Sequence, residues 1–264
     1  MDIWLFILIA VFGLLVGILS GMFGIGGGAM MVPMLHLAFS LPMLNASATS
    51  LLAVAPTSIS GSIRHLRQKT VDIATALEFG IPGAIASAAS ALLSGYLPET
   101  VILAATVSVV AFCAFRVFRE ALKKPIDDSG RTSQLRFQSA AKARLASIGI
   151  GLLAGFIAGL VGVGGGFIIV PFGLAMLGRT MKQMSAISLM AIVIIAIPGI
   201  ITHALLGHIY YLHGVALAVG SIPGASIGVW LITKVPERAL RFSYGCLLVV
   251  SGLLLVLNRF LAGS

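Results

Sequence analysis

GMFGIGGGAMMVP, residues Gly21 to Pro33, and GLVGVGGGFIIVP, residues Gly159 to Pro171, decide how this chain folds. The two stretches lie 138 positions apart. Gly21, Gly24, Gly26, Gly27, Gly28, Val32 and Pro33 recur as Gly159, Gly162, Gly164, Gly165, Gly166, Val170 and Pro171. Each copy packs five glycines into eight residues, and each glycine disfavours helix by roughly 1 kcal/mol relative to alanine. Both copies therefore break long apolar runs. Matched breaks in the two halves of a membrane chain point to a transporter's binding site.

The rest of the composition agrees. The 264 residues are 59% hydrophobic and 9% charged, with a mean hydropathy of +1.10, where soluble domains carry roughly 25% charged residues. About 20 apolar residues span a bilayer as helix, and the chain offers many such runs. It reads as an all-α, polytopic helical membrane protein. Its net charge of +9 does not indicate nucleic acid, because the basic residues sit at the ends of apolar runs or in one linker, as topology signals do. Cys113 and Cys246 lie in apolar segments without metal or redox spacing and read as small buried hydrophobes. No metal or cofactor is expected. Nor is a cleavable signal peptide, since the first run lacks a basic start and continues into the glycine block.

In order, apolar runs cover Ile3 to Leu19, Ala29 to Phe39, Leu44 to Ile63, Ile73 to Leu93 and Val101 to Phe118. Residues 119–142 form the one long polar stretch. From Arg116 to Arg144 it holds eight Lys/Arg against Glu120, Asp127 and Asp128, and reads as a cytoplasmic basic linker. It divides an N-terminal repeat, 1–118, from a C-terminal repeat, 143–264. NASATSL at Asn45 is answered by QMSAISL at Gln183, and His65 by His203, both at offset 138. Ile81-Pro82-Gly83-Ala84 returns as Ile222-Pro223-Gly224-Ala225 at offset 141, which reads as a three-residue insertion later removed. The chain is an internal duplication.

Two topologies follow. Four crossings per half keep the halves parallel and leave Arg179, Lys182, Lys234, Arg238 and Arg241 outside. Five crossings invert the second half. Arg64, Arg67, Lys69, the linker and all those residues then face the cytoplasm, with Arg259 alone outside. The positive-inside rule favours inverted repeats. The runs after the glycines are short and read as half-helices, and irregular backbone at membrane depth needs protein or a water-filled cavity around it.

Gly24, Gly26, Gly27 and Gly28, with Gly162, Gly164, Gly165 and Gly166, expose backbone N–H groups without side chains in the way. A half-helix starting there adds its positive end, and both features suit an anion. Close helix packing is the competing use of such glycines. No Lys-Ser/Thr ending follows, so this is no nucleotide loop. Asn45, Ser47, Thr49 and Ser50, with Gln183, Ser185 and Ser188, either hydrogen-bond the same anion or join helices. Glu78, the one acidic residue well inside a span, and His36, in the first half-helix, are the candidate proton-coupling residues. His203, His208 and His213 surround a short loop and read as solvated. Nothing has the arrangement of an enzyme.

These paired glycine–proline motifs, the S-A-T/I-S-L stretches after them and the basic segment after the second long span resemble the sulfite exporter TauE/SafE family, also called the toluene sulfonate uptake permease group. The resemblance covers almost the whole chain. It implies a bacterial or archaeal inner-membrane secondary transporter of small organosulfur anions such as sulfite, sulfoacetate or related sulfonates, with export as the leading direction. It admits a coupling proton or other ion, and a homo-oligomer. Gln183 stands where the first repeat has Asn45, so the halves can contact a substrate unequally. The alternatives are a permease or channel for another small organic solute, and a membrane subunit with no substrate of its own.

Overall fold

The computed structural model describes residues 3–98, 100–102, 104, 108, 112, 115, 140–240, 242–247 and 249–250. The expected linker, 119–142, lies outside them but for its last three residues. Among the described residues, eight helices with both ends placed follow one another: α1 (Ile3–Phe23), α2 (Gly28–Phe39), α3 (Met43–Arg67), α4 (Ile73–Ser94), α5 (Ala140–Val161), α6 (Gly166–Leu177), α7 (Met181–Leu205) and α8 (Tyr211–Ile232). No strand occurs among the described residues. The helices α1, α4, α5, α7 and α8 are each long and apolar enough to cross a bilayer.

At 25 residues α3 is as long as α7, but its serines and threonines lower its hydropathy. It can carry them because it is the most enclosed of the long helices, packed against α2, α7 and α8, with lesser contacts to α1 and α5. At 12 residues each, α2 and α6 rise about 18 Å, half a membrane.

Offset 138 relates α2 to α6, α3 to α7 and α4 to α8 at both ends. The Pro-Gly pair at Pro82 and Pro223 therefore does not mark an insertion. Gly17 meets Ser221, and its counterpart Gly155 meets Gly83, so the register holds straight through. The Pro-Gly element has moved one turn along an unbroken helix.

Small residues set the packing. Gly13, Gly17 and Gly21 of α1 lie against Leu217, Ser221 and Ala225 of α8. Gly151, Gly155 and Gly159 of α5 lie against Phe79, Gly83 and Ser87 of α4. A Cβ on Gly13 would stand 2.5 Å from the Leu217 carbonyl oxygen, closer than real Cβ atoms come, so the backbones touch because these positions are glycine. This is how helices associate where no water drives them together. Each seam joins a helix of one half to a helix of the other.

The same contacts give directions. Rising numbers on α1 meet rising numbers on α8, so the two run parallel, as do α4 and α5. Thr49 reaches Tyr210, Thr57 reaches Ser221 and Ser60 reaches Ser226, making α3 parallel to α8. Gly80 meets Ile194 and Ser87 meets Gly199, making α4 parallel to α7. By contrast Gly61 meets Leu189 while Leu51 meets Gly199, so α3 and α7 are antiparallel. Thus α1, α3 and α8 point one way and α4, α5 and α7 the other. Arg64, Arg67, Lys69, Arg144, Arg179, Lys182 and Lys234 consequently gather at one end of the molecule. The other end holds no Lys or Arg among the described residues.

Candidate functional site: the paired glycine turns

α1 stops at Phe23 because Gly24, Gly26 and Gly27 adopt φ values of 71°, 84° and 86°. Gly162, Gly164 and Gly165 repeat this at 70°, 80° and 75°. Side-chain-bearing residues seldom enter that left-handed region. The chain doubles back into α2 and α6, whose N-caps are Gly27 and Gly165.

The two turns meet at the centre. A Cβ on Gly28 would lie 2.6 Å from both the Gly162 carbonyl oxygen and the Val163 Cα. A Cβ on Gly166 would lie 2.8 Å from the Ile25 Cα. Val54 and Ile192, counterparts on α3 and α7, contact both turns at Gly26 and Gly164. All eight candidate glycines are buried. The structure thus brings the glycine residues of both halves together, with their half-helices starting side by side.

The polar cluster serves both turns across the halves. Ser188 Oγ donates to the Gly24 carbonyl at 2.7 Å, and its counterpart Ser50 donates to the Gly162 carbonyl at 2.8 Å. These carbonyls end α1 and α5, where no further turn of helix supplies an N–H to donate to them. Ser185 Oγ donates to the Gly21 carbonyl at 3.3 Å, whereas Ser47 Oγ is buried without a partner among the described residues. The starts of α3 and α7 differ. Asn45 Nδ2 reaches the His208 carbonyl at 2.9 Å, and Thr49 Oγ1 accepts from Tyr210 N. Gln183 instead closes a capping box with Thr180 on its own helix.

His36 and Glu78 stand apart from the turns. His36 Nδ1 donates to the Leu41 carbonyl at 2.6 Å, securing the end of α2. Glu78 pairs with Arg144 at 3.0 Å across α4 and α5, at the basic end. Beside it Asp72 caps α4 and pairs with Arg179 at 2.7 Å. Burial alone would raise the Asp72 carboxyl. Hydrogen bonds from the Thr75 N–H and hydroxyl, together with the Arg179 charge, outweigh it and hold the pKa below the usual carboxylate range.

A second expectation fails. His203 is fully buried rather than solvated, because the antiparallel packing of the halves carries it inward to Gly159, where Nε2–H donates to the carbonyl at 2.9 Å. Sequence reasoning also missed a stripe on α3. Ser58, Ser62 and His65 are buried there, and their Oγ, Oγ and Nε2 atoms have no partner among the described residues. The signal was present: three polar residues spaced four and three apart occupy one helix face, while Ala196 and Ile200 replace the serines in α7.

Broken helices meeting at the heart of a chain this apolar define a polytopic membrane transporter. The sulfite exporter TauE/SafE family model matches residues 9–255, and the chain belongs to that family. It is 26% identical over 270 residues to the probable membrane transporter protein YunE of Bacillus subtilis, covering 95% of this chain and 97% of the relative. A probable membrane transporter protein of Methanocaldococcus jannaschii is 30% identical over 265 residues, 95% of each chain. YjnA of Bacillus subtilis, named likewise, is 28% identical over 255 residues, 94% and 98%. No solved structure matches. The chain is a membrane transporter and not an enzyme, as its family and relatives are.

Proposed function

We propose that the chain is a secondary transporter of small organosulfur anions, such as sulfite, sulfoacetate or related sulfonates, acting as an exporter in the inner membrane. The single observation that carries this reading is the meeting of the two glycine turns, which sets the positive ends of α2 and α6 side by side at the centre of the chain. First-turn N–H groups of a helix lack intrahelical acceptors, and two such ends favour one negative group between them. Gly24, Gly26, Gly27 and Gly28, with Gly162, Gly164, Gly165 and Gly166, are the proposed cradle. Ser47, Ser50, Ser185 and Ser188 are the hydroxyls nearest to it, and Asn45, Thr49 and Gln183 complete the set at the helix starts.

The turns touch in the arrangement described, so an anion enters only when they part. Ser50 and Ser188, now holding turn carbonyls, then become free to donate to the anion. The opposed directions of α3 and α7 support inverted repeats, with alternating access produced by motion of the helix pairs about the turns. The clustering of Lys and Arg at one end supports a cytoplasmic basic end and linker. A coupling proton would use His36 or Glu78.

Reconstitution tests the reading. Proteoliposomes should show saturable flux of labelled sulfite, sulfoacetate or taurine, altered by a pH gradient if a proton is coupled. Gly27→Leu or Gly165→Leu should abolish it. Folded protein that moves none of these anions would sink the proposal.

A further inference from the structure

A groove of about 690 Å³ runs along the outer seam of α3 and α8. Ile59, Ile63 and Ile222 line it, all well exposed at 40%, 46% and 41%. Its serines are already engaged: Ser60 Oγ donates to the Ile222 carbonyl at 2.7 Å and lies 2.9 Å from Ser226 Oγ. The floor is thus effectively apolar. Arg64, Arg67 and Gln68 close one end, and no carboxylate among the described residues lines it. The described ion pairs engage Arg144 and Arg179, leaving Arg64 and Arg67 without a carboxylate partner among the described residues.

Dimensions and charge name the occupant. Pro56, at the inner limit of the groove, and Arg67, at its outer limit, are 11 residues apart on one helix, about 16 Å. That is the hydrocarbon depth of one leaflet, half of roughly 30 Å. The arginines lie at the end of α3, at the basic end of the molecule, where a headgroup layer belongs. A single apolar trough of leaflet length, capped by two cations, fits a chain with an anionic head. We propose that this groove binds an anionic glycerophospholipid, one acyl chain along Ile59, Ile63 and Ile222 and its phosphate at Arg64 and Arg67.

The test uses the full chain, delipidated in mild detergent. Phosphatidylglycerol or phosphatidylcholine is titrated in, with bound lipid counted by native mass spectrometry and melting temperature followed in parallel. Phosphatidylglycerol should bind as one tight copy and raise the melting temperature more than phosphatidylcholine does. Two interfacial cations contribute roughly fivefold each to anionic-lipid affinity. Arg64→Gln with Arg67→Gln should therefore weaken phosphatidylglycerol by roughly 25-fold and leave phosphatidylcholine unchanged. Lys182→Gln with Arg238→Gln, at the same end but off the groove, should change neither; an equal loss there would reduce the effect to general surface charge and overturn the site. Ile59→Trp keeps both arginines and fills the trough, so it should displace the lipid even if the arginine variant fails to fold. Retention of the lipid by Ile59→Trp overturns the proposal. So does equal stabilisation by inorganic phosphate, which would make this a small-anion site. Cysteine cross-linking of two copies through position 59 would assign the groove to self-association instead.

Discussion

His203 Nε2 stands 2.9 Å from the Gly159 carbonyl, while the same atom of its counterpart His65 has no partner among the described residues. Both rings are steered through Nδ1 by the residue five positions on, Thr70 for His65 and His208 for His203. The difference lies at the glycines. The Gly21 carbonyl, equivalent to Gly159, is taken by Ser185; Ser47, equivalent to Ser185, is in turn left over. Each glycine thus takes a different donor from an equivalent pair. A buried group that loses its partner costs about 1–3 kcal/mol. His203→Ala should therefore lower unfolding stability in detergent by about that much, and His65→Ala by clearly less. Equal losses would contradict the asymmetry.

The seams make a prediction with opposite signs. Gly155 of α5 rests on the Gly83 backbone, and Gly149, less than two turns earlier, has nothing within 4 Å of where a Cβ would point. Gly149→Ala should keep or raise the melting temperature, since alanine favours helix by about 1 kcal/mol. Gly155→Ala must push two backbones apart and should cost several kcal/mol or abolish folding, in line with overpacking of a close contact. Melting curves of both variants in one detergent decide it.

Asp72 supplies a pH dependence. Its folded pKa lies below its unfolded value, which is near 3.9. The stabilisation is therefore complete above that value and is lost as pH falls through the folded pKa. Both partners are about one-third exposed, at 32% and 34%, so the pair contributes no more than about 1 kcal/mol. Asp72→Asn should cost up to that amount at neutral pH, and the cost should shrink as the pH falls below the unfolded value toward the lower folded pKa. A cost that grows on acidification would reverse the assigned sign.

Orientation is open to labelling. Gln68 lies at the basic end and Tyr96, which is 87% exposed, at the other. In a variant whose Cys113 and Cys246 are replaced, a cysteine at 96 should react with an impermeant maleimide in intact cells. One at 68 should react only after permeabilisation. Labelling of both from one side would refute opposed ends.

The seams also join the halves. Cutting after Asp128 and expressing the two pieces together should give a complex that co-purifies through a tag on either. A half that purifies folded alone would be inconsistent with the interlocked α1–α8 and α4–α5 pairs.

Most of the architecture could be read from residues whose spacing reports backbone. The glycine blocks located both breaks, since five glycines in eight positions leave little alternative to a turn, although α1 continues through Gly21 to Phe23, past the end of the apolar run at Leu19. Offset 138 likewise paired the elements. Misreadings arose where a position's neighbours come from the other half. His203 looked solvated beside a short loop, but Gly159 draws it inside. The Pro-Gly shift looked like an insertion until Gly155 and Gly17 showed the register intact. The Ser58–Ser62–His65 stripe passed unnoticed because helix periodicity says which residues share a face, not which face is enclosed.

The duplicated halves share helices, turns and serines, yet not their charges. Arg64, Arg67 and Lys69 correspond to Thr202, Leu205 and Gly207, while Arg179 and Lys182 correspond to Leu41 and Leu44. Lys234 and Arg238 answer to Tyr96 and Thr100. Had the basic residues been copied with the rest, each half would carry the same orienting signal, and positive-inside sorting would draw one of them in the wrong way round. Unequal placement of a few Lys and Arg would let one duplicated pattern be threaded into a bilayer twice, once in each direction.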